Sequence, residues 1–171
     1  MFFVPNSVKT ILKNSVLVCC FIFLIAGCSK DMAGKSALTS GAAGGPITPG
    51  TSRDFQINVG NVVYFTTDST NLTSQGKTTL LGQVKWLQRY PQYAITLEGH
   101  ADERGTREYN IALGARRAET VRRFLISKGV KPSRMRTISY GKERPVALCD
   151  DISCWSQNRR VVTLLNRSAG S

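Results

Sequence analysis

Residues 93–128 read Tyr93-Ala-Ile-Thr-Leu-Glu-Gly-His-Ala-Asp-Glu-Arg-Gly-Thr-Arg-Glu-Tyr-Asn-Ile-Ala-Leu-Gly-Ala-Arg-Arg-Ala-Glu-Thr-Val-Arg-Arg-Phe-Leu-Ile-Ser-Lys128. The period of the apolar residues changes within this run. From Tyr93 to Gly99 apolar and polar residues alternate in part, as in a half-buried strand. From Thr106 to Lys128 the spacing is helical, and Gly129 suits the left-handed residue that closes a helix. With Arg117 at zero on a helical wheel of about 100° per residue, Leu113, Ala118, Val121, Phe124 and Leu125 fall between about −40° and +100°. Arg117 and Asn110 lie inside this apolar row, whereas Arg116, Glu119, Arg122 and Arg123 lie outside it.

The pattern continues on both sides. Upstream, Asn61 to Thr66 is β-branched and aromatic and predicts a strand. Asn71 is the expected cap of a helix through Arg89, with Leu80, Leu81, Val84 and Leu87 on one face and Pro91 as its stop. Downstream, Met135 to Tyr140 and Arg160 to Leu165 predict two more strands. The order β-α-β-α-β-loop-β implies a two-layer α/β (α+β) sandwich, both helices packed on one face of a mixed sheet. This domain is expected over residues 54–171.

The N-terminal third reads differently. Lys9 and Lys13 precede an apolar run from Val16 to Ala26, which ends in Leu24-Ile-Ala-Gly-Cys28. A charged start, an apolar run of that length and small residues before a cysteine describe a lipoprotein signal peptide over residues 1–27, with Cys28 as the lipidated residue. Residues 28–53, rich in Gly, Ala, Ser, Thr and Pro, read as a flexible tether of roughly 25–30 Å root-mean-square span. An exported chain with an even pair of remaining cysteines, Cys149 and Cys154, is expected to oxidise them. Free thiols are the alternative. A zinc site would need more ligands than His100, the one histidine, supplies.

The net charge of +12 becomes +10 when Lys9 and Lys13 leave with the signal. Export argues against nucleic acid as the partner. Lipid headgroups, cell-wall carboxylates or an acidic protein remain.

A charge on the apolar row of a helix is unfavourable unless it is paired. Arg117 therefore needs a partner: either a structural salt bridge or an anion met in an open cleft. Glu98-Gly-His-Ala-Asp-Glu-Arg-Gly105 links strand to helix, where ligands are commonly held. Asp102 in this loop is placed to face Arg117. A carboxylate and a guanidinium that are near but incompletely paired can grip a zwitterion, the carboxylate taking its ammonium and the guanidinium its carboxylate. Catalysis finds little support. Glu98, Asp102 and Glu103 share one short segment crowded by arginines, and there is neither a nucleophile-elbow nor a His-Glu-x-x-His motif.

Gly99-His-Ala-Asp-Glu-Arg-Gly-Thr106, Tyr109-Asn-Ile-Ala-Leu-Gly-Ala-Arg-Arg-Ala118, Ser139-Tyr-Gly-Lys-Glu-Arg-Pro145 and Asn158-Arg-Arg-Val161 together resemble the peptidoglycan-associated lipoprotein family and its outer-membrane-protein-A-like module. The resemblance spans roughly Val59 to Leu165. It implies binding of the meso-diaminopimelate side chain of peptidoglycan, with Asp102 and Arg117 as ligand residues, Asn110 and Leu113 as support, and Gly99 and His100 lining the site. Phe65 and Asp68 match the family's first-strand motif, but Thr66 and Thr67 stand where it has an acid and an aromatic. No catalysis, cofactor or metal is implied. The implied setting is the periplasmic face of the outer membrane and the Tol–Pal system, with TolB as a partner. A flagellar-motor stator carries a similar module but keeps a spanning helix with an acidic proton carrier; this chain has no acid before Asp31.

Overall fold

The computed structural model describes residues 45–167; the expected signal peptide and lipidated Cys28 lie outside the described residues. Four strands, β1 (Val62–Tyr64), β2 (Tyr93–His100), β3 (Met135–Gly141) and β4 (Arg160–Arg167), form one sheet in the order β1-β4-β2-β3. β2 and β3 are parallel, while β4 runs antiparallel to both β1 and β2. The last strand therefore inserts between the strands of the first β-α-β unit. Helices α2 (Ser74–Arg89) and α3 (Arg107–Ser127) cover one face, giving the expected two-layer α/β architecture.

The register explains the core. Ile95 and Leu97 on β2, Val63 on β1, Val161 on β4 and Met135 on β3 point to the helices and are buried with Leu80, Leu87, Ala118, Val121 and Leu125. Truncating a leucine in such a cluster costs about 2–5 kcal/mol. Leu81 does not join this face: at 42% exposure it sits about 100° around the helix from Leu80. Thr73, rather than Asn71, caps α2, its hydroxyl accepting from the Gly76 amide at 3.0 Å. Thr106 caps α3 by accepting from Tyr109 N, and Gly129 follows with φ +89°.

Two elements depart from the expected map. The folded chain begins before residue 54: α1 (Ser52–Asp54) is capped by Thr51 and runs into a π-helical turn, Phe55–Val59. Asp54 is buried there and accepts from the Trp86 indole at 2.8 Å and the Gly50 amide at 2.9 Å. The expected loop before β4 also contains a helix, α4 (Ile152–Asn158), capped by Asp151. A Cys149–Cys154 disulfide joins the start of that helix to the preceding turn. Among the described residues no helix is long and apolar enough to cross a membrane.

Candidate functional site

The loop between β2 and α3 rests on a close approach of backbones. A Cβ at Gly99 would overlap the carbonyl of Gly114, so only glycine lets α3 lie this near the strand. Gly105, at φ +84°, turns the chain into α3 through a conformation that L side chains resist. Asn110, buried one turn into the helix, fixes the loop by donating to the Arg104 carbonyl at 2.7 Å and the Thr106 carbonyl at 3.0 Å.

Arg117 is fully buried. Among the described residues no salt bridge holds it. Its Nε donates to the Ser69 carbonyl at 2.9 Å, Nη1 to the His100 carbonyl at 2.9 Å and Nη2 to the Thr66 carbonyl at 3.2 Å. The guanidinium lies over the Phe65 ring, 5.3 Å from its centroid. Burial lowers its pKa to about 10, so it remains charged at neutral pH. Three carbonyls supply partial negative charge, and the charges of Asp102 and Asp68 act against the effect of burial.

Asp102 does not bond to Arg117. Its Oδ1 accepts from Arg104 Nε at 3.1 Å, and its Oδ2 from Arg104 Nη2 at 2.7 Å and Arg159 Nη1 at 3.2 Å. Burial pushes the Asp102 carboxyl up, but hydrogen bonds from Arg104 and Arg159, with the charge of Arg104, outweigh it and hold the group below the usual carboxylate range. Arg104 in turn stacks on Trp155, 4.2 Å from the ring centroid, while the Trp155 indole donates to Glu103 at 2.9 Å.

These groups border one recess of about 240 Å³, open to solvent and formed by the turn after β1, the β2–α3 loop and the first turns of α3. Asp102, Arg117, Asp68, Asn110 and Leu113 line it together with Arg104, Gly105, Tyr109 and Thr67. Asp68, with φ +51°, accepts a hydrogen bond from the Tyr109 hydroxyl across the mouth. That bond raises the Tyr109 pKa.

Three expected site residues take other positions. Phe65 is buried beneath the Arg117 guanidinium and does not reach the recess. Gly99 serves the helix–strand approach. His100 contributes only its carbonyl, to Arg117; its ring is buried beside Tyr140, with centroids 5.6 Å apart. Arg104, Tyr109 and Arg159 were not among the sequence candidates. Arg159, just before β4, has a buried side chain that donates to Asp102 and to the Phe65 carbonyl at 3.1 Å.

The fold and recess together define a small α/β module with a charged cleft at the carboxyl end of its second strand. The sequence model of the OmpA family matches residues 64–159, and a "Peptidoglycan-associated lipoprotein" from Rhizobium meliloti is 55% identical over 168 residues, 97% of this chain and 95% of its own. The chain belongs to the OmpA family and, within it, to the peptidoglycan-associated lipoproteins. The Pseudomonas aeruginosa relative of the same name is 45% identical over 121 residues, 71% of each chain. Among solved structures, the peptidoglycan-associated lipoprotein from Burkholderia pseudomallei superposes with a TM-score of 0.61 at 44% identity, over 62% of this chain and 90% of that one. The C-terminal domain of Helicobacter pylori MotB gives 0.58 at 25% identity, over 63% and 84%.

Proposed function

We propose that this chain is a non-catalytic outer-membrane lipoprotein that ties the membrane to peptidoglycan by binding the diaminopimelate side chain of the stem peptide. The observation that carries the reading is the recess, which brings Asp68 and Asp102 to one cavity with Arg104 and Arg117. A side chain ending in both an ammonium and a carboxylate matches that pairing of signs. The carboxylates take the ammonium; the spare N–H groups of Arg117 and the backbone of the Gly105 turn take the carboxylate. Leu113 offers the methylene stem an apolar wall. A proton-transfer role for Asp102 is disfavoured, because two arginines keep it ionised. Lipid at Cys28 would fix the chain to the periplasmic face of the outer membrane, and its family suggests exchange between wall and TolB within the Tol–Pal system.

The test compares residues 45–171 with muropeptides of the meso-diaminopimelate type and of the lysine type, by calorimetry. Lysine lacks the second carboxylate, so binding is expected for the first and a loss of at least tenfold for the second. Equal affinities would overturn the zwitterion assignment.

A further inference from the structure

We infer that the end of the domain at which the chain enters is a docking surface for anionic phospholipid headgroups. The hydroxyl of Tyr93, at the start of β2, donates to the Gly50 carbonyl at 2.8 Å, so the incoming chain lies against the end of the sheet opposite the charged recess. The C-terminal ends of both long helices lie here as well. Gln88 of α2 donates to the Lys128 carbonyl after α3 at 3.1 Å. Arg134 donates to the carbonyls of Leu87, Tyr90 and Tyr93, which brings the segment before β3 to the same end.

This arrangement gathers exposed cations: Lys85, Arg89, Arg123, Lys128, Lys131 and Arg136. Lys85 and Arg89 line one open recess with Pro49 of the incoming chain. No acid occurs between Lys85 and Leu97, nor between Arg123 and Lys142. Asp54, the acid of the incoming segment, is buried, with its oxygens engaged by Trp86, Gly50 and Asn58. At the other end, Arg104 and Arg107 have carboxylate partners in Asp102 and Glu143. The end where the chain enters the domain therefore carries a cluster of exposed cations beside an acid, Asp54, that is already engaged.

An anionic membrane attracts such a patch at a range of about 8–10 Å, the Debye length near physiological salt. Each lysine or arginine held near that surface strengthens binding roughly fivefold. The inference rests on the proposed lipid at Cys28, which would keep this end nearest the bilayer. The tether would then supply an effective concentration on the order of millimolar.

The experiment uses residues 45–171 without the lipid, the part of the chain that holds the sheet, both long helices and the core they bury. Sedimentation is measured with phosphatidylcholine vesicles, with and without about one third phosphatidylglycerol. Binding is expected only to the anionic vesicles, and its loss in about 0.5 M salt. The triple variant Arg89→Gln, Lys128→Gln, Lys131→Gln is expected to bind at least tenfold more weakly. A triple of equal charge change elsewhere, Lys77→Gln, Arg107→Gln, Arg116→Gln, is expected to change binding less than threefold. The inference is overturned by no binding to anionic vesicles at low salt, by equal loss in both triples, or by a first triple that fails with sacculi and not with vesicles. Because the assay contains no acyl chain, its failure is distinct from that of the lipoprotein reading, which acyl labelling of Cys28 tests.

Discussion

Asp102 and Arg159, 57 residues apart in the chain, meet at 3.2 Å beneath the recess, with both side chains almost sealed from solvent. The pair ties the β2–α3 loop to the start of β4. Through the Phe65 carbonyl, Arg159 also holds the end of β1. Breaking a buried ion pair by removing one partner costs about 3–5 kcal/mol. Arg159→Ala is therefore expected to lower stability by about that amount in urea denaturation and to weaken sacculus binding by freeing the Asp102 loop. A loss under about 1 kcal/mol, the worth of an exposed pair, would show that Arg159 does not organise the site.

His100 is expected to make the domain acid-sensitive. Its ring is buried, neither nitrogen has a hydrogen-bond partner among the described residues, and burial with the charges of Arg160 and Arg144 lowers its pKa from 6.5 to about 4. The unfolded chain thus binds the proton at higher pH than the folded one. Stability from this group is complete above pH 6.5 and falls as the pH drops towards 4, a loss of about 3 kcal/mol at 1.36 kcal/mol per unit. Chemical denaturation between pH 7.5 and 4 is expected to show the slope, and His100→Phe to flatten it. An unchanged slope in His100→Phe would assign the acid sensitivity to the carboxylates.

The Cys149–Cys154 disulfide closes a short loop at the start of α4, so its effect on the unfolded chain is modest, about 2 kcal/mol. Reduction is expected to loosen Trp155, and with it the Arg104 stack at the rim, while the core stays folded. Tryptophan fluorescence and hydrogen exchange of residues 146–158 report this. Global unfolding on reduction would show that the loop is coupled to the core.

Cys28→Ser is expected to abolish metabolic palmitate incorporation and leave a precursor carrying residues 1–27. Each methylene buried in a bilayer contributes about 0.8 kcal/mol, so several acyl chains would make attachment effectively permanent. Undiminished labelling of the variant would exclude Cys28 as the lipid site.

The sequence showed the sheet–helix alternation because the apolar period changes sharply at Gly99, where β2 gives way to a glycine-rich loop and α3. It also showed that Arg117 and Asn110 face inwards, since both interrupt an otherwise apolar row. The partners of Arg117 were not legible: carbonyl groups carry no side-chain signature, and Thr66, Ser69 and His100 offer theirs through tertiary placement alone. Arg159 was hidden for a related reason. As one of two arginines opening a strand, it gives no hint of which one turns inwards. The short helices have only a turn or two of pattern, too little to stand out in the sequence, although Thr51 and Asp151 are the residue types that cap them.

Arg117 separates gripping the wall from holding the domain together. Truncation to alanine strips donors from three carbonyls and leaves a void over Phe65, so a stability loss of about 2–5 kcal/mol is expected. It also removes the cation proposed to meet the ligand carboxylate, for a binding loss of about 2–5 kcal/mol, at least thirtyfold. The two effects are separated by temperature and by a conservative change. Well below the melting temperature of the variant, where circular dichroism shows it folded, binding to sacculi is still expected to be lost. Arg117→Lys keeps the charge but cannot reach three carbonyls in one plane, so partial recovery of binding with little recovery of stability is expected. Arg116→Ala, one residue away and exposed to solvent, is expected to match the parent in both measurements. If folded Arg117→Ala co-sediments with sacculi like the parent, Arg117 is a structural residue only and the ligand carboxylate is held elsewhere.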